Sequence, residues 1–221
     1  MALAALAVAL EFIGYLTRVT GAPRAIAHPL SMDAPFSVAR MFVAALFAAA
    51  ALAAGLGAGR QPGRRTWWTA VAVVAAGIAT VKAGGNVHAR VLHALAGDDP
   101  VRGLLVSVPM ALAAAGWLWW LSRHERRDRR RVLSCLVGYA GASVGLSFVS
   151  SVAGQLGGSY AAATATFVEE SGEALAGVAF LVAVLVGVAP RLVLPASWAL
   201  RREADRNPID ARLPGAALAE G

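Results

Sequence analysis

FVAALFAAAALAAGLGAG, residues 42–59, holds no charged or strongly polar side chain. A helix needs roughly 18–20 apolar residues to cross the hydrocarbon core of a bilayer, and this run has that length. Further runs follow at Thr69–Gly84, Gly103–Leu121, Val132–Ala153 and Ala174–Pro190. The whole chain of 221 residues is 58% hydrophobic and only 15% charged. One soluble core would have to bury all of that continuous apolar surface. A bundle of transmembrane helices accommodates it, because a helix satisfies its own backbone hydrogen bonds in lipid. The expected fold is therefore all-α and polytopic.

Met1–Leu16 is a shorter apolar run containing Glu11. Its start carries no cluster of positive side chains, so it reads as a retained first span rather than a cleaved signal peptide. Six spans are expected, roughly at 1–17, 38–58, 67–86, 101–121, 132–153 and 167–190. They form a single transmembrane domain over 1–200, followed by a flexible cytoplasmic tail over 201–221 that contains Pro208 and Pro214.

Basic residues orient these spans. Arg60, Arg64 and Arg65 share one side with Arg123, Arg126, Arg127, Arg129, Arg130 and Arg131, and with Arg191, Arg201, Arg202, Arg206 and Arg212. That side holds 14 of the 20 Lys and Arg residues. Positive loops stay in the cytoplasm, which places both termini inside a plasma membrane. The net charge of +7 then follows from topology and does not call for nucleic acid. The Arg123–Arg131 run suits anionic lipid headgroups.

Local signals agree with this layout. Asp98–Asp99–Pro100 reads as an N-cap with proline in the first turn. Trp67 and Trp68, and then Trp117, Trp119 and Trp120, fall at the inferred cytoplasmic interface, where indoles favour the headgroup level. Gly138, Gly141 and Gly145 form a small-residue face expected to serve packing within the chain. Cys135 is the one cysteine and cannot form an internal disulfide.

Lys82 is the only lysine, and it lies inside an apolar run. An ionisable group at membrane depth is paired, turned inward or part of a pathway. Other polar groups collect on the same, outer side: His28 and Asp33, then His88, His93, Asp98 and Asp99, then Glu169, Glu170 and Glu173. His124 alone among the histidines falls inside. Glu173 lies i,i+4 from Glu169 and i,i+3 from Glu170, so it shares a helix face with each. Three acids on one turn repel unless a proton, a cation or Lys82 relieves them. Pairing of Lys82 with Glu173 or Glu11 would make both charges tolerable in lipid.

Two accounts of this cluster stand side by side. In the structural one, acids in the first turn of the last span complement its dipole, histidines do so at helix C-termini, and Lys82 forms a structural ion pair. In the functional one, Lys82, Glu11, Glu169, Glu170, Glu173 and His88 line a pocket or pathway. No cofactor is expected. The one metal set that spacing allows is His88 and His93 with Glu170 and Glu173, suited to zinc or iron if the chain bends after Gly84–Gly85.

Two short stretches carry a resemblance: Lys82-Ala-Gly-Gly-Asn-Val-His88 and Glu169-Glu170-Ser-Gly-Glu173. They resemble a group of uncharacterised bacterial multi-pass membrane proteins of about six helices, over residues 37–190. In that group a histidine motif ends the third helix and Glu-Glu-x-x-Glu opens the last. The resemblance implies a bacterial inner-membrane location and no particular activity. This chain departs from it in having Lys82 where an acid is usual and Ala89 where a glutamate often follows the histidine. A salt bridge from Lys82 to Glu170 or Glu173 would then stand where the group could hold a metal.

Three functions remain open. The favoured one is an outward-facing polar pocket that binds or passes a proton, an ion or a small polar solute. The others are an accessory subunit with a membrane-protein partner and a metal-dependent membrane enzyme. No nucleophile–base pair is legible, so catalysis is not favoured, and no filter-like loop suggests a sodium or potassium channel.

Overall fold

The computed structural model describes residues 1–85, 87–97, 99–122, 126–156 and 158–204. Among these residues there are helices and turns and no strand. Helix α1 spans Ala2–Val19, α2 Arg24–Leu30, α3 Val38–Arg60, α4 Arg65–Lys82, α5 Val87–Ala96 and α6 Pro100–Leu121. Helix α7 spans Arg126–Ala140 and continues through a π-helical segment, Gly141–Leu146, into α8, Ser147–Leu156. Helix α9 spans Gly158–Val188 and α10 spans Ala196–Ala204.

Five of these stretches are long and apolar enough to cross a membrane: α1, α3, Val101–Leu121, Asp128–Gln155 and α9. The remaining expected span falls on α4. It has 18 residues, but Arg65 and Lys82 stand at its two ends and lower its mean hydropathy.

Helix α9 is the centre of the bundle, with 31 residues and a length of about 46 Å at the usual helical rise. It packs against α1, α3, α7 and α8, while α3 and α4 form a close antiparallel pair. Phe47, Trp68, Val71, Phe180 and Val184 are fully buried in the core. Helix α6 is the outlier, with 6% of its most apolar window buried against 56% for α9.

Caps and turns follow the local chemistry. Asp99 accepts from the backbone N–H groups of Val101 and Arg102 ahead of Pro100, as its N-cap position predicts. After α4 the chain turns at Gly84, whose φ of +117° suits only glycine, and Phe36 covers it. This turn separates α5 from α4.

Four expectations need correction. The last long helix begins at Gly158 rather than near 167, because the alanine-rich segment 159–166 is a strong helix former. Trp67 and Trp68 do not sit at the surface. Both are buried, and the Trp68 indole N–H donates to the Gln61 side-chain oxygen at 3.3 Å. Trp117, Trp119 and Trp120 are exposed. Gly138, Gly141 and Gly145 are exposed, and among the described residues nothing lies within 4 Å of where a Cβ would stand, so no packing partner there accounts for them. Close approach belongs instead to Gly57 against Val188 and Gly187 against Trp68. Finally, helical order runs past residue 200, since Arg202 of α10 is buried and bound to Asp128. Residues 205–221, the rest of the expected tail, lie outside the described residues.

Candidate functional site

Lys82 ends α4, and its ammonium group reaches α9, where Nζ donates to Glu170 Oε2 at 2.9 Å. The same ammonium is ion-paired with Glu173. Both glutamates sit on one face of α9, as their i,i+3 spacing requires. Between them lies Gly172. A Cβ there would stand 3.2 Å from Ala142 Cβ, so the bare backbone lets α9 press against the π-helical segment. That contact holds the glutamate face against α7 and α8.

A helix starting near 167 would give these acids a dipole role in its first turn. With the helix beginning at Gly158, Glu169 is three turns inside it. The helix-dipole effect fades within the first turn, so it does not account for these carboxylates.

Each carboxylate has its own support. Ser150 Oγ, on α8, donates to Glu169 Oε2 at 2.6 Å. Tyr139 of α7 is buried and lines the same cavity as Glu173 and Ser143. Arg40, on α3, does not join the acids directly. Its guanidinium donates to the carbonyl oxygens of Asp33 at 2.9 Å, and of Val81 and Lys82 at 3.3 Å each. It thus satisfies the open carbonyls at the end of α4 and fixes the backbone from which Lys82 projects.

These groups border a cavity of about 890 Å³. Lys82, Glu169, Glu170, Glu173 and Tyr139 line it, together with Ser107 of α6 and Ser143, Ser147 and Ser151 of the α7–α8 rod. Beyond Tyr139 the bundle is filled by aromatic rings. Phe47 meets Tyr139 edge-on at 4.9 Å between centroids and Phe180 at 5.3 Å. Gly177 allows Phe47 to lie close against α9. The polar space is thus stopped on the side towards the far end of α9.

The structure brings most of the expected residues together. Lys82, Glu169, Glu170 and Glu173 share the cavity wall. Glu11 lies on α1, which packs against α9. It is 1% exposed, its Oε2 has no hydrogen-bond partner, and its electrostatic neighbours are Glu170, Lys82, Glu173 and Asp33. It does not line the cavity. His93 is exposed on α5 and does not line the cavity, and the His88 side chain lies outside the described residues. Among the described residues, no three His, Cys, Asp or Glu side chains are grouped to hold a metal ion.

Tyr139 and Arg40 are site residues that the sequence did not single out. Tyr139 carried a signal, since it is a phenol in the middle of an apolar run. Arg40 carried none beyond its charge.

A second buried charge group lies at the other end of the bundle. Asp128, 1% exposed at the start of α7, pairs with Arg64 at 3.4 Å and with Arg202 of α10. Its carboxylate carbon would lie 3.5 Å from a Cβ at Gly187. Gly187 is about 25 Å along α9 from Glu170.

No curated protein and no solved structure matches the chain. One family model, described as a domain of unknown function (DUF8692), matches residues 1–188. That range runs from α1 through α9 and holds Glu11, Lys82 and the three glutamates, while Arg202 lies beyond it. The chain belongs to this family of domains of unknown function.

Proposed function

We propose that this is a six-span membrane protein whose outward-facing pocket, built on Lys82, Glu170 and Glu173, binds or passes a proton, an ion or a small polar solute. The observation that carries this reading is a buried ammonium paired with two carboxylates at the wall of an 890 Å³ cavity. Ionisable groups inside a membrane bundle mark substrate or ion routes, and a cavity beside them gives a solute somewhere to sit. The arginine distribution supports α4 as the sixth span and supports both termini on the cytoplasmic side of a bacterial inner membrane. The Lys82 end then faces outward, and the Phe47–Tyr139–Phe180 cluster closes the pocket from the inside.

The test has two arms. In a Cys135→Ala background, Ser151→Cys in intact cells should react with a membrane-impermeant thiol reagent added outside. Vesicles reconstituted with the protein should take up protons or solute, and Lys82→Ala and Glu173→Gln should change that uptake. A cysteine at 151 that is silent from outside, with fluxes identical in all variants, would remove this reading.

A second reading, an accessory subunit of a larger membrane complex, is favoured by one observation. Gly138, Gly141 and Gly145 present an outward face with none of the described residues against it, and such faces admit a close partner helix. Native mass analysis after gentle extraction tests it, and a chain that always runs alone would dismiss it.

A further inference from the structure

Three carboxylates line the cavity, and they are not alike. Glu170 and Glu173 share the Lys82 ammonium. Glu169 is 9% exposed and has a serine hydroxyl on Oε2, but among the described residues no cation is ion-paired with it. The other cation at the wall, Arg40, is engaged by backbone carbonyls. A carboxylate withdrawn from water is costly unless an opposite charge meets it.

The space beside Glu169 narrows the class of that charge. Pockets of about 300–1,000 Å³ take organic molecules rather than bare ions, and this cavity falls in that range. Leu104 and Met110 of α6, with Val144 and Phe148 of the opposite rod, give it apolar walls. The aromatic face of Phe148 is also a favourable neighbour for an ammonium group.

We propose that the cavity takes a small organic cation, an alkylammonium with a short hydrocarbon body, whose charged head pairs with Glu169. Lys82 then serves to neutralise Glu170 and Glu173, and Ser150 orients the receiving carboxylate. This rests on the pocket reading above and specifies the class of its ligand.

A series of probes with one body and three heads tests it: butylammonium, butanol and butanoate. Each is titrated against the full chain in nanodiscs, with binding read by saturation-transfer NMR and by the melting temperature. Butylammonium should bind saturably and raise the melting temperature, while butanol and butanoate at equal concentration should not. Glu169→Gln should weaken butylammonium at least tenfold without lowering the melting temperature of the free protein. Glu169→Asp, which keeps the charge, should retain most of the binding.

Stronger binding of butanol or butanoate would overturn the cationic class and leave the pocket intact. So would displacement of butylammonium by an equal concentration of sodium. Unchanged binding in Glu169→Gln would overturn the assignment to Glu169. If no probe binds, thiol labelling at position 151 decides: a reactive cysteine leaves the pocket and removes this inference, and a silent one removes both. Should Glu169→Gln fail to fold, Glu169→Asp and the three-probe series on the unaltered chain separate the same outcomes.

Discussion

The two ends of the bundle solve the problem of buried charge in opposite ways. At one end a single described carboxylate, Asp128, is buried and held between Arg64 and Arg202. At the other, one ammonium faces several carboxylates beside a cavity of about 890 Å³. The first arrangement ties α7, α10 and the turn before α4 into one unit, and Asp128 lines neither of the cavities described. The second leaves more carboxyl groups than cations next to open space. A buried pair by itself says little about purpose, because desolvation offsets much of its attraction. The space beside the charges separates a clasp from a site.

Substitutions can break this contrast or sharpen it. Asp128→Ala should have the largest effect, lowering stability by about 3–5 kcal/mol, because the arginines facing it lose a buried counterion. Its check is the melting temperature in detergent. Lys82→Met should cost less, about 2 kcal/mol, since water in the cavity can reach the two carboxylates that it abandons. Adding Glu173→Gln should recover part of that loss, as a double-mutant cycle would reveal. If Lys82→Met proved as damaging as Asp128→Ala, the distinction between the two ends would collapse.

Gly187→Ala should cost about 1–2 kcal/mol, because its new methyl group would collide with the Trp68 ring. Gly138→Ala meets nothing, and removing a glycine from a helix interior should stabilise the chain by about 0.5–1 kcal/mol. A loss at Gly138 instead would point to a partner on that face.

The Lys82 site was legible in outline because a lone cation in an apolar run demands a partner, and acids at i,i+3 spacing offer one. Its details were not. Glu169, Glu170 and Glu173 look equivalent in the sequence, yet Ser150 on another helix sets Glu169 apart. The Asp128 clasp was hidden for a different reason. An aspartate amid arginines reads as a solvated interruption, and only the docking of α10 reveals that it is enclosed. Trp67 and Trp68 misled because indoles favour an interface unless a buried acceptor is at hand, and Gln61 supplies one for Trp68. The N-terminal reach of α9 was obscured by small residues that add little hydropathy but extend a helix readily.

The π-helical segment Gly141–Leu146 has a consequence for phase. It places one surplus residue in the rod between Tyr139 and Ser151, so the two halves of that rod are rotated against the ordinary 3.6-residue count. Were the same residues wound as a regular α-helix, everything from Ser147 onward would swing through about 100°. Ser150 would then leave Glu169, and the hydroxyl stripe would turn from the interior towards lipid. The rod's angular registration is thus written in its length, where no single side chain reveals it.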